Sequence, residues 1–181
     1  PKEFRWQAGE KILEGGAIID RFVGAQNSSM VTLTLPGSTW YAMDALARWS
    51  GWIVNRMTQV IRRTKSPHCD SPYWFFVWEH QKRGALHMHW CIAWDTLPQK
   101  RLALCHKLKD LWFRLLEEIS VKENIDLFKR QGYGRTHRYN KRVWQWDIQT
   151  INKSVAAYFA KYCEKNTEHA YRPDRGGDKP S

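Results

Sequence analysis

The sequence contains no Cys-x-x-C pair; its four cysteines, Cys69, Cys91, Cys105 and Cys163, lie far apart. That spacing excludes a zinc-finger pattern and a compact disulfide framework, and leaves buried reduced thiols in a cytoplasmic protein as the expectation. No apolar run approaches the ~20 residues of a membrane-spanning helix, and no charged-then-apolar leader follows Pro1. A G-x-x-x-x-G-K-[S/T] phosphate loop is also missing, so the chain carries no recognisable helicase. Acidic residues are scarce: 18 Asp and Glu face 29 Lys and Arg, for a formal net charge of +11. Such a deficit predicts attraction to a polyanion, with nucleic acid the first candidate. An anionic membrane ranks second and is set aside for want of an apolar segment.

What is present is a chain of 181 residues, 43% hydrophobic, a length and composition that suit one domain with a real core. Its 11 Trp are more than a domain of this size can bury whole, so several are expected at least partly exposed. Three parts are expected: an N-terminal extension over 1–29 packed on the domain, a folded domain over 30–170, and a flexible tail over 171–181.

Lys2 to Leu13 reads as a short helix ending at Gly15-Gly16. Met30 to Leu35 alternates with period 2 and stops at Pro36-Gly37, the pattern of a strand. Ser38 or Thr39 is placed to cap a helix to about Arg63, whose stripe is Leu46, Trp49, Ile53, Met57 and Val60. Tyr73 to Glu79 and Leu86 to Trp94 read as a hairpin around a polar turn. Asp95 or Thr96 is placed to cap the next helix, with Pro98 in its first turn and Leu104, Leu108, Leu111, Leu115 and Ile119 as its buried stripe. Val143 to Ile148 reads as a last strand, followed by a helix from about Ser154 to Lys165.

The order β-α-β-β-α-β plus a helix predicts an α+β fold in the split β-α-β arrangement shared by ferredoxin-like and RNA-recognition domains. Its central antiparallel sheet would have about five strands. The two crossover helices would cover one face, and the last helix would lie across the other.

Two motifs suggest chemistry. In Leu86-His87-Met88-His89-Trp90 the side chains alternate, so His87 and His89 share one face, about 6.6 Å apart at the backbone. Glu79, across the hairpin, is expected on that same face. Two imidazoles and a carboxylate suit Mn²⁺ or Mg²⁺, with Zn²⁺ as the alternative, and leave positions for a phosphate. The last helix carries a tandem Y-x-x-K: Tyr158 with Lys161, and Tyr162 with Lys165. Tyr158 and Tyr162 lie one turn apart on one helix face, each with an ammonium nearby. A free phenol ionises near pH ~10; an adjacent cation favours the phenolate, and a metal on the phosphate lowers the demand on the nucleophile. Each motif alone has a plainer reading, surface histidines in one case and core aromatics in the other. Their combination favours a catalytic site. His68 and His80 are read as ordinary loop histidines.

Between Lys129 and Arg142 lie Lys129, Arg130, Arg135, Arg138, Lys141 and Arg142, interleaved with Tyr133 and Tyr139 and free of acids. Cations for phosphates with aromatics for bases is a single-strand-binding pattern. Lys82, Arg83, Arg62, Arg63 and Lys65 are weaker candidates.

With these residues in hand the sequence resembles the HUH endonuclease superfamily of rolling-circle replication initiators. Met30 to Leu35 is similar to its first motif, His87-Met88-His89 to its metal motif behind a Glu-bearing strand, and Tyr158-x-x-Lys161 with Tyr162-x-x-Lys165 to its tyrosine motif. The doubled tyrosine is most similar to the initiators of small single-stranded-DNA phages and their plasmid and transposon relatives. The resemblance implies a nickase that acts on single-stranded DNA at a replication origin, often a hairpin, through a 5′-phosphotyrosine intermediate and a free 3′-OH. It implies Glu79, His87 and His89 as metal ligands, and the two tyrosines as alternating nucleophiles. Unwinding would fall to a host helicase or to a segment outside this chain. The setting it implies is the cytoplasm of a bacterial host. Two alternatives carry different expectations: a transposase of the same chemistry, and a non-catalytic single-strand-binding module whose binding would survive EDTA. A mobilisation relaxase would bring a larger histidine cluster than is found here.

Overall fold

The computed structural model describes residues 2–36, 40–64, 72–80, 86–94, 97–128 and 146–168. Among these, four helices and four strands follow the order α1 (Lys2–Phe22), β1 (Ser28–Thr34), α2 (Trp40–Arg63), β2 (Tyr73–His80), β3 (Leu86–Ala93), α3 (Pro98–Glu123), β4 (Trp146–Thr150) and α4 (Val155–Glu168). The strands form one antiparallel sheet in the order β2-β3-β1-β4, as the split β-α-β arrangement requires. Four strands are described rather than about five.

The alternation of β1 and β3 sorts the sheet into two faces. Val31, Leu33, Leu35, Leu86, Met88, Trp90 and Ile92 pack on one side against α2 and α3, with Leu46, Ile53, Met57, Leu108, Trp112 and Leu115. All five expected α3 stripe positions are buried; in α2, Leu46, Ile53 and Met57 are buried while Trp49 and Val60 pack partly buried at the margin. Trp49 donates its indole N–H to Glu123 of α3 at 2.7 Å, and Arg48 bonds the same carboxylate. The Trp49 bond first, then the guanidinium, holds that carboxyl below its ordinary range.

The other face is covered by two helices rather than one. Ile19 of α1 and Val155 and Phe159 of α4 pack on Met30, Val77, Cys91 and Ala93. α1 continues through Gly15-Gly16 to Phe22, nine residues beyond its expected end at Leu13. A glycine inside a helix costs roughly 0.5–1 kcal/mol relative to alanine. Here the close approach of α4 requires one, because a Cβ on Gly16 would lie 2.7 Å from the Cα of Ala156. The helix instead stops before Gly24, whose φ of 86° suits a residue without a Cβ.

Smaller shifts occur elsewhere. β1 starts at Ser28 and ends at Thr34, β3 ends at Ala93, and β4 runs on to Thr150, paired with Ser29; the expected strand residues 143–145 lie outside the described residues. Residues 38 and 39, the expected caps of α2, lie outside them too. At α3 the cap position falls to Leu97, with no side-chain cap, and Pro98 opens the helix. His80 ends β2 instead of lying in the turn, and position 68 is outside the described residues. Cys91 and Cys105 are buried free thiols, and burial raises both, Cys105 to about 12. Trp90, Trp94 and Trp112 are wholly buried, whereas Trp52, Trp74, Trp78 and Trp146 are partly buried. Among the described residues no helix is long and apolar enough to cross a membrane.

Candidate active site

Along the face covered by α1 and α4, β3 presents His87, His89, Cys91 and Ala93 in succession. The register places Glu79, His87 and Thr34 in one row across the sheet, and Val77, His89 and Thr32 in the next. The following row, Phe75, Cys91 and Met30, already belongs to the apolar layer under α1 and α4. The face therefore changes from polar to apolar within two residues of one strand. On the reverse side Leu86, Met88 and Trp90 anchor the same strand in the larger core.

Both histidines are buried, His87 at 6% and His89 at 4% exposure, so their ring nitrogens need partners. His89 has one on each side. Its Nε2 lies 2.8 Å from Glu79 Oε2, and its Nδ1 lies 3.0 Å from Thr32 Oγ1. The Nε2 proton goes to the carboxylate, which leaves Nδ1 of the neutral ring to accept from the Thr32 hydroxyl. His87 is held more loosely, with Thr34 Oγ1 at 3.4 Å from Nδ1 and 3.5 Å from Nε2. The two imidazole centroids are 5.8 Å apart. Trp112 of α3 donates its indole N–H to the Thr34 carbonyl at 3.3 Å and ties this end of β1 to the core.

Two imidazoles and one carboxylate on one rigid face are a donor set that Mn²⁺, Mg²⁺ or Zn²⁺ accepts. Two of the three, Glu79 and His89, already meet. Among the described residues no three His, Cys, Asp or Glu side chains converge closely enough to hold an ion together, so His87 would have to turn from Thr34. Its contacts with Thr34 are long and cost little to exchange.

Tyr158 is half-buried on α4 and packs against the cluster that contains Val77 and Cys91, the residues next along the sheet from Glu79 and His89. Phe159 meets Phe75 of β2 edge-on at 4.6 Å. The Lys161 ammonium sits 3.7 Å from the centroid of the Tyr158 ring, over its face. Tyr162 and Lys165 belong to the same helix, but their side chains lie outside the described residues. So do the expected DNA contacts Lys129, Arg130, Tyr133, Arg135, Arg138, Tyr139, Lys141 and Arg142, and Lys82, Arg83 and Lys65. Arg62 and Arg63 are described, exposed in the last turn of α2.

Sequence reasoning missed Thr32 and Thr34, although the T-x-T of β1 has the same period as the H-x-H it pairs with. It also missed Asp20, which accepts hydrogen bonds from the first turn of α4. No local pattern marks that residue.

No curated protein and no solved structure matches the chain. A family model does, over residues 28–167, from the first residue of β1 almost to the end of α4, and so takes in the histidine pair and both tyrosines. On that match the chain belongs to the ORF2-type family of replication-associated proteins, and is a rolling-circle replication protein.

Proposed function

We propose that this chain is a metal-dependent replication initiator of the two-tyrosine HUH type, which nicks and rejoins single-stranded DNA at an origin. One observation carries the proposal: Glu79, His87 and His89 share a sheet face with α4, whose Tyr158 packs on the adjoining rows of that face. A binding module has no need of a buried carboxylate–imidazole pair beside a tyrosine–lysine pair.

Glu79, His87 and His89 would hold Mn²⁺ or Mg²⁺, which when bound supplies a Lewis acid for the scissile phosphate. The phenol oxygen of Tyr158 or Tyr162 forms a bond to phosphorus as the P–O3′ bond breaks. The phenol loses its proton and the departing 3′ oxygen takes one up, leaving a 5′-phosphotyrosine and a free 3′-OH. One phosphodiester replaces another, so rejoining by the reverse transfer needs no ATP. The Lys161 ammonium beside the Tyr158 ring favours the negative charge that develops as the phenol is deprotonated. The basic residues from Lys129 to Arg142, with Tyr133 and Tyr139, would track the strand. Unwinding would come from a host helicase or from a segment outside this chain, in a bacterial cytoplasm.

The test is a covalent-adduct assay. The chain is incubated with single-stranded oligonucleotides carrying candidate origin hairpins, with Mn²⁺ or with EDTA. A protein–DNA band that survives denaturation and forms only with the metal is expected. Binding that persists in EDTA without any covalent band would sink the proposal and favour the binding module.

The hydroxyl behind His89 gives a finer test. With Nε2 committed to a metal, Nδ1–H would donate to Thr32 Oγ1 and fix the tautomer. Thr32→Val keeps the shape and loses that acceptor. Its Mn²⁺ affinity, read by titration, is expected to fall about 10–100-fold, with the fold retained.

A further inference from the structure

The helix that carries the tyrosines owes its starting point to α1. Asp20, in the last turn of α1, accepts the Val155 amide on Oδ1 at 2.7 Å. Its Oδ2 accepts the Ala156 amide at 3.1 Å and the Ser154 hydroxyl at 2.7 Å. Ser154 Oγ accepts the Ala157 amide at 3.1 Å in turn. The first amides of a helix have no partner within it, and here one carboxylate and its relay serve three of them.

Asp20 is poorly placed for α1 itself. A carboxylate near a helix C-terminus faces the negative end of that helix's dipole, whereas the N-terminus of α4 offers it the positive end. One turn earlier on α1, Gly16 lets the Ala156 backbone approach so closely that a Cβ would be 2.7 Å away. Farther along α4, Phe159 is seated on Phe75 of β2. These three contacts lie at successive points of α4 and together set its start, its depth and its rotation. Tyr158 lies between the second and the third, with its amide bonded to the Ser154 carbonyl at 2.9 Å.

We infer that Asp20, seconded by Gly16, is a positioning residue for the nucleophile: it sets the start of α4 so that Tyr158 faces the rows of Glu79, His87 and His89. This rests on the nicking reaction proposed above. Nucleophilic attack tolerates little error, and a displacement of about 1 Å costs on the order of 100-fold in rate.

The experiment uses the full chain, an oligonucleotide that forms the adduct, and Mn²⁺. Asp20→Ala is expected to slow adduct formation roughly 10–100-fold, with the Kd for the single strand and the Mn²⁺ titration midpoint unchanged. Asp20→Asn, which keeps an acceptor oxygen, restores much of the rate. Hydrogen exchange at the amides of Val155, Ala156 and Ala157 rises in Asp20→Ala, while that of β1 and β3 does not change. Should Asp20→Ala fail to fold, Gly16→Ala decides the matter: it keeps the carboxylate, favours helix within α1 and pushes α4 outward. It is expected to show the same loss of rate without loss of binding. The inference is overturned by a folded variant with the wild-type rate. It is equally overturned by a loss of rate matched by losses of metal and DNA binding, as a general structural defect would produce. A wild-type chain that yields no adduct overturns the nicking proposal instead, and exchange at 155–157 then still shows whether Asp20 sets the helix.

Discussion

Tyr158→Phe combined with Tyr162→Phe is expected to remove the covalent protein–DNA band entirely while leaving single-strand binding near the wild-type level. Phenylalanine keeps the ring and loses the one atom that can bond to phosphorus. Tyr158 is half-buried against an apolar cluster that includes Ile19, Val77 and Cys91, so Phe preserves the packing that holds α4. Strand binding is assigned to cations outside α4 and should not follow the hydroxyls. Each single variant reports on the order of use. The two residues are one turn apart, about 6 Å along the helix, and a scissile phosphate held at one place meets one phenol at a time. A variant that retains some adduct identifies the remaining tyrosine as competent. Any adduct from the double variant would show the nucleophile to be another group.

The second large effect is expected at the histidines. His89 lies between Glu79 at 2.8 Å and Thr32 at 3.0 Å, 4% exposed. His89→Ala removes a proposed ligand and the main partner of a carboxylate that is itself only 15% exposed. A metal on a phosphoryl oxygen supplies several kcal/mol of transition-state stabilisation, so Mn²⁺-dependent nicking should fall roughly 100–1000-fold. His87→Ala should do the same if His87 turns to complete the donor set. His106→Ala is the control, since that ring, on α3, rests on Trp146 away from the site. Comparable rates for His89→Ala and His106→Ala would remove the metal role from this face. So would wild-type adduct formation in EDTA.

Much of this site is legible in the chain because its parts follow short periods. Strand alternation places His87 and His89 on one face and sends Leu86, Met88 and Trp90 into the core. Helical spacing stacks Tyr158 on Tyr162. The β-α-β-β-α-β order is sufficient to place β1 and β3 at the centre of the sheet, where they are found. The hairpin pairing that sets Glu79 opposite His87 also follows from parity, since both strands run without interruption to the turn.

The reading fails where a residue's partner is distant in sequence and nothing periodic reports it. Gly15-Gly16 reads as a helix end because glycine weakens an isolated helix. In the fold Gly16 is the point where α1 and α4 touch, and the contact offsets the weakness. Asp20 reads as an ordinary surface acid near the end of a helix, yet its carboxylate meets amides more than 130 residues away. Thr32 and Thr34 show the intermediate case. Their parity is visible in the strand, but their role as partners of His89 and His87 exists only after β1 and β3 pair.

The sequence by itself therefore determined the elements, their order and which faces carry the His and Tyr motifs, because those are consequences of period and polarity within single segments. Only the tertiary structure decided that the histidines are buried and bonded, that a second helix covers their face, and that the tyrosine helix is set in place by α1. Those outcomes depend on how closely two backbones approach and on which distant carboxylate satisfies unpaired amides, and neither is encoded in the spacing of residues along one segment.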